Sequence, residues 1–172
     1  MRFKFYIAVA TLAVAAMLAG CSELSSNRRK VEYEQVVTVL KPIDKVPITV
    51  SFQDGVFYRV KVNNNLPTSI NLVWDESAYV NTSGESVRII RVLDRQNLPS
   101  NLELPQADSP IAPGSQLQAD FAGESWVEFA RRGGMPKPRD NFRKARIHLL
   151  FNINGRRVDW RGEVVFVPKK QP

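Results

Sequence analysis

The chain predicts an all-β domain, an antiparallel β-sandwich, with a small β-barrel as the alternative. Three observations carry that prediction. Short β-branched runs recur between turn signals. Nine glycines and 11 prolines fall between those runs. No run shows the long 3.6-residue periodicity of an amphipathic helix, whereas several alternate with period two.

The elements follow in order. Val36-Val37-Thr38-Val39-Leu40 is β-branched and ends at Lys41-Pro42. Val46 to Phe52 is a second run, and Asp54-Gly55 after it is a two-residue hairpin signal. In its partner, Val56, Tyr58, Val60 and Val62 alternate with Phe57, Arg59 and Lys61, so one face is apolar and the other mostly charged. Asn63-Asn64-Asn65-Leu66-Pro67 reads as a loop in which asparagine tolerates positive φ. Ser69 to Trp74 is a strand with Ile70, Leu72 and Trp74 on one side, and Asp75-Glu76 reads as a solvated turn at its end. Glu76 to Val80 and Ser86 to Leu93 flank the turn Asn81-Thr82-Ser83-Gly84. In the second of these, Val87, Ile89 and Arg91 share one phase.

Residues 94–113 are the least regular, with Pro99, Pro105, Pro110 and Pro113, and read as a long crossover. Ile111-Ala112-Pro113-Gly114-Ser115 reads as a tight turn into a strand from Gln116 to Phe121. Trp126 to Phe129 is a short strand or a helical turn, and Arg131 to Arg143 is a loop. Lys144 to Ile153, Asn154-Gly155 and Arg156 to Val167 form the clearest hairpin. Gly162, inside the last strand, marks a bulge or a close backbone approach. Trp74 and Trp160 are assigned to the core. About eight or nine strands result, a number typical of sandwiches that are immunoglobulin-like in the loose sense. A Cys-Trp-Cys spacing is absent, since the chain has one cysteine.

That cysteine sits in an informative place. Met1-Arg2-Phe3-Lys4 is basic, Phe5 to Leu18 is apolar but for Thr11, and Leu18-Ala19-Gly20-Cys21 follows. Charged, apolar and small-residue regions in this order make a secretory signal. The apolar run is shorter than the roughly 20 residues of a membrane-spanning helix. Leu18-Ala19-Gly20-Cys21 resembles the lipobox of bacterial lipoproteins. The resemblance covers 21 of the 172 residues. It implies cleavage after Gly20, a diacylglycerol thioether on Cys21, and an acylated amino terminus with palmitate as the acyl group. Each buried methylene adds about 0.8 kcal/mol, so two or three chains anchor a protein durably. Three segments are expected: a signal peptide at 1–20, a flexible tether at 21–30 carrying lipidated Cys21, and a single β-sandwich domain at 31–172. Ser22 after the cysteine resembles the outer-membrane-sorted class of Gram-negative lipoproteins. The expected location is therefore the cell envelope, on an outer membrane facing the periplasm.

The chain carries 24 Lys+Arg against 17 Asp+Glu, a net charge of +7. Residues 1–20 hold Arg2 and Lys4 and no acid, so the remainder carries two fewer, or +5. A basic domain at a membrane is drawn to acidic polymers, acidic proteins and anionic headgroups. The compartment argues against nucleic acid. Cys21 given to lipid leaves no thiol for a disulfide or a thiolate metal site.

Little in the chain suggests catalysis. One histidine, His148, lies in an apolar strand, and no Gly-x-Ser-x-Gly elbow or phosphate-binding loop is present. No enzyme activity, metal or cofactor is expected. The candidate for partner contact is the stretch from 131 to 144. Its cations are Arg131, Arg132, Lys137, Arg139, Arg143 and Lys144, against Asp140 alone. Arginine suits phosphate and carboxylate because its fork bonds bidentately. The expected function is an interaction or accessory module for an envelope protein assembly. The alternative is a ligand-binding lipoprotein holding a small molecule, lipid or glycan.

Overall fold

A computed structural model describes residues 33–53, 57–81, 83–133 and 144–168. The chain divides into two units, Met1–Glu32 and Tyr33–Pro172, and every described residue belongs to the second. The expectations for Cys21, the signal peptide and the tether lie outside the described residues.

The described residues are all-β apart from one short helix. The strands are β1 (Tyr33–Lys41), β2 (Ile48–Phe52), β3 (Tyr58–Asn63), β4 (Ile70–Val80), β5 (Ser86–Val92), β6 (Ser109–Ile111), β7 (Gln116–Gly123), β8 (Lys144–Ile153) and β9 (Arg156–Pro168). The helix, α1 (Glu124–Arg131), lies between β7 and β8. The strands form one nine-stranded sheet in the order β1-β9-β8-β4-β5-β7-β3-β2, with β6 also on β4. Every pairing is antiparallel.

The sheet nearly closes into a barrel. Its two ends, β1 and β2, are bridged by one side chain: Gln35 Nε2 donates to the Val50 carbonyl (3.3 Å) and Gln35 Oε1 accepts from the Phe52 N–H (2.8 Å). The amide stands in for a peptide group that a continuous ladder would supply. β5 turns the corner on the other side. Ser86 to Arg88 pair with β4, and Ile89 to Val92 pair with β7.

The core follows from strand alternation. Tyr58, Val60 and Val62 of β3 are buried, as are Ile70, Leu72 and Trp74 of β4. Trp74 and Trp160 both lie in it, as expected. Each such side chain contributes about 1.5–3 kcal/mol of transfer free energy. A second, smaller cluster sits elsewhere. Ile90, Ala122 and Val127 join Phe57, Leu98, Leu102 and Trp126, where α1 and the 94–108 crossover meet β5 and β7.

Several local expectations are met. β2 and β3 pair as the expected hairpin, but Gln53 N–H donates to the Phe57 carbonyl at 2.8 Å, so three residues and not two separate the paired positions; Asp54-Gly55 itself lies outside the described residues. Asn154 (φ 52°) and Gly155 (φ 78°) make the primed turn of the β8–β9 hairpin. A Cβ on Gly162 would lie 2.2 Å from Cη2 of Trp160, so Gly162 is a close approach.

Other expectations need correction. Asp75-Glu76 is no turn: β4 runs through it as one strand of 11 residues, with a register shift between Val73 and Ala78. Two consecutive polar residues break the period of two, and the bulge moves the inward phase from Ile70, Leu72 and Trp74 to Ser77 and Tyr79. Of the two readings offered for Trp126 to Phe129, the helical one holds. The loop asparagines are not used for positive φ; Asn64 is buried instead. Its Nδ2 donates to the carbonyls of Thr68 and Ile111 (both 2.9 Å), and its Oδ1 accepts from the Leu66 N–H (3.0 Å).

Candidate functional site

The basic stretch begins on a fixed platform. β7 ends at Gly123, where a Cβ would lie 3.0 Å from Val87 Cγ2 and 3.2 Å from Tyr79 Cδ1. A side chain there would press on both residues, so glycine suits this exit from the sheet. α1 starts at the next residue and buries Val127 against Ile90 and Ala122. Arg88 clamps its first turn. The Arg88 guanidinium reaches Glu124 (3.3 Å) and Asp75 (3.6 Å). Asp75 in turn accepts from the backbone N–H of Gln106 (2.8 Å) and from its Nε2 (3.2 Å). Gln106 then bridges β5, donating to the Ile89 carbonyl and accepting from the Arg91 N–H (both 2.7 Å). The crossover is thus tied to β4, β5 and, through Arg88, to the helix.

Arg131 and Arg132 stand at the far end of α1, and both are exposed. Arg131 is the last helical residue, not the first of a loop as expected. Arg132 pairs with Glu128 one turn back. Gly133, at φ 77°, ends the helix and donates to the Ala130 carbonyl at 3.0 Å. Cations at this end also match the negative pole of the helix. Phe129, 44% exposed, meets Trp126 edge-on at 6.1 Å.

Lys137, Arg139 and Arg143 lie outside the described residues. Lys144 opens β8 and is engaged within the fold, its Nζ 2.9 Å from Glu163, which also meets Arg146 at 3.4 Å. The Lys144 hydrogen bond, aided by Arg146, holds the Glu163 carboxyl below the usual carboxylate range. The structure therefore brings Arg131 and Arg132 together and assigns Lys144 to a strand-surface ion pair.

Sequence reasoning missed a second charged cluster. Asp120 of β7 accepts from Arg59 Nε (2.7 Å) and Nη2 (3.0 Å), and from Arg95 Nη2 (2.7 Å). The hydrogen bond from Arg59, with that of Arg95, holds its carboxyl below the ordinary range. Arg59 and Asp120 are directly opposite in the β3–β7 register, which a linear pattern does not reveal. A third feature is an apolar groove of about 660 Å³ lined by Val39, Pro42, Ile43, Val46, Ile48 and Trp160.

His148 is half-buried. Burial, and then the Arg161 charge, pushes its pKa below the ordinary histidine value. Among the described residues no group of His, Cys, Asp and Glu is arranged to hold a metal, and no helix is long and apolar enough to cross a membrane. No protein-family model matches the chain, and no curated protein matches it in sequence.

Proposed function

We propose that this chain is a lipid-anchored domain of the bacterial cell envelope that serves as an interaction or accessory module for an envelope protein assembly. Cys21 is the anchor, residues 21–30 are the tether, and the domain faces the periplasm from an outer membrane. Its partner is an acidic protein surface or envelope polymer, met by the cations from Arg131 to Lys144. The domain itself is a β-sandwich in this proposal, with β1-β9-β8-β4 and β5-β7-β3-β2 as its layers. The packing of Trp74 on Phe121 at 6.3 Å supports that arrangement. No reaction is assigned.

The observation that carries the proposal is the exposure of Arg131 and Arg132 at the end of a helix fixed by buried Val127. Loops mounted on a rigid sheet commonly carry recognition. The exposed Phe129 ring on the same helix offers an apolar contact beside the charges.

The test has two stages. Intact-mass spectrometry of membrane-extracted protein should show a chain that starts at Cys21 and carries acyl groups. Cys21→Ala should abolish that mass and release the protein from membranes. An unmodified or uncleaved chain refutes the anchor. Crosslinking in envelopes should then recover a stoichiometric partner, and Arg131→Glu with Arg132→Glu should lose it. Recovery of no such partner refutes the module.

The apolar groove beside Trp160 favours a second reading, a lipoprotein that holds an apolar ligand.

A further inference from the structure

Strand register collects cations on the outer face of β1, β9 and β8. On β9 the residues Trp160, Gly162 and Val164 are buried, so Asp159, Arg161, Glu163 and Val165 point outward. Register sets Lys144, Arg146 and His148 of β8 beside Val165, Glu163 and Arg161. It sets Val36, Thr38 and Lys41 of β1 beside the same three on the other side.

Two acids on this face each hold two cations. Asp159 meets Lys41 and Arg161, and Glu163 meets Lys144 (2.9 Å) and Arg146 (3.4 Å). Those six groups carry +2. Glu34, beside Val167 at the start of β1, lowers the face to +1, and Arg157 is matched by Glu76 of β4. Height matters more than the count. The side chains of Asp159 and Glu163 are only 25% and 18% exposed, whereas those of the four cations are 49% to 54% exposed. The carboxylates lie low, and the layer that meets a partner is positive. Val36 and Leu40 of β1 stand exposed along the same region.

We propose that this face lies against an anionic phospholipid surface, that of the membrane holding Cys21; the inference rests on the anchor reading. Two arguments choose a membrane over an acidic protein. The first is chain length. From position 21 to position 33, where β1 begins, is a step of 12 residues. A flexible tether of that length spans about 17–21 Å, at about 5–6 Å times the square root of its length. The strand nearest the anchor in the chain thus belongs to the face in question. The second argument is the mixture of side chains. Lysine and arginine reach phosphates on long apolar stems, and exposed Val36 and Leu40 suit the boundary between headgroups and acyl chains. α1 packs on β5 and β7, so this assignment leaves Arg131 and Arg132 to a protein partner.

The first test is NMR of the lipidated mature chain in nanodiscs of phosphatidylcholine and phosphatidylglycerol that contain a lipid with a paramagnetic headgroup. The Val36 and Val165 methyl signals and the Arg161 Nε–H signal should broaden, and the exposed Leu104 and Phe129 signals should not. Broadening centred on Leu104 or Phe129, or spread evenly, overturns the face. The second test uses the mature chain with Cys21→Ala, added from solution to vesicles. It should float with vesicles containing phosphatidylglycerol and not with phosphatidylcholine alone. Arg146→Gln with Arg161→Gln should weaken that partition about fivefold for each cation lost. Arg131→Gln with Arg132→Gln should change it little. Equal losses in the two double variants would mean that net charge alone drives binding, and would also overturn the face. The two readings fail separately. A native chain without acyl groups refutes the anchor while the Cys21→Ala flotation still decides the face. A lipidated chain that broadens elsewhere refutes the face alone.

Discussion

Replacing Gly162 by alanine gives a direct test of how the core is packed against β9. Gly162 has no positive φ, so the backbone itself accepts alanine. In the absence of a clash, such a change would stabilise the protein by about 0.4–1 kcal/mol through the unfolded chain. The structure predicts the opposite sign. The added Cβ would lie 2.2 Å from Cη2 of Trp160 and 2.9 Å from Cζ2 and Cζ3. The obstacle is a rigid ring only 2% exposed, which must shift to admit the methyl group. Overpacking of this kind costs about 1–3 kcal/mol, and the severity of the contact places the net loss at ~2 kcal/mol. For a domain of this size each kcal/mol moves Tm by about 3–4 °C, so a fall of about 6–8 °C is expected.

Thermal unfolding followed by near-ultraviolet circular dichroism measures that fall and reports the Trp160 environment together. The control is Trp160→Leu, which removes the ring. Gly162→Ala should be far less harmful in that background, because the two residues are coupled through one contact. An unchanged Tm, or the same loss in both backgrounds, would refute the reasoning.

Three further outcomes follow from the geometry. Asn64→Ala removes the side-chain partner of the Thr68 and Ile111 carbonyls and the Leu66 N–H, and should cost about 2–4 kcal/mol in urea unfolding. Gln35→Ala removes the bridge between β1 and β2, so the Phe52 amide should exchange hydrogen at least tenfold faster while Tm changes little. The Asp120 carboxyl is depressed by Arg59 and Arg95, so its contribution is present above the unfolded carboxylate range and drains as pH falls through the folded value. Stability measured below about pH 4 should therefore fall less steeply in Asp120→Asn than in the parent, and parallel profiles would remove Asp120 from the acid transition.

Period-two patterns were enough for β3, for the start of β4 and for the β8–β9 hairpin, because each keeps one phase against one core. Asp75-Glu76 hid the continuity of β4, since a bulge changes phase without a turn residue to announce it. α1 has 8 residues, too few for helical periodicity, and Gly123 caps it without a side-chain hydrogen bond. Asn64 looked like a turn residue; its value is the three hydrogen bonds it makes in the interior. Among the candidate residues, Arg131 and Arg132 were legible from composition alone. The tie between Arg59 and Asp120 spans 61 positions and exists only once β3 meets β7. Arg91 did leave a trace, as a cation in the phase of Val87 and Ile89.

The placement of charge separates folding from recognition in this chain. Asp75, Asp120, Asp159 and Glu163 each meet cations carried on strands or on the crossover. Those pairs tie neighbouring strands and loops. Arg131 has a different setting, exposed at a helix end. Arg91 is different again, held against an indole with an unused donor. Neutralising Arg131 should therefore alter association and its salt dependence while leaving stability nearly constant, because an exposed cation interacts chiefly with solvent and partners. Neutralising Arg91 should instead lower stability, since its guanidinium stands 5.9 Å from the buried Trp74 ring. Two cations of one domain thus make opposite predictions for stability. The comparison of their variants separates a cation that meets partners from one built into the fold.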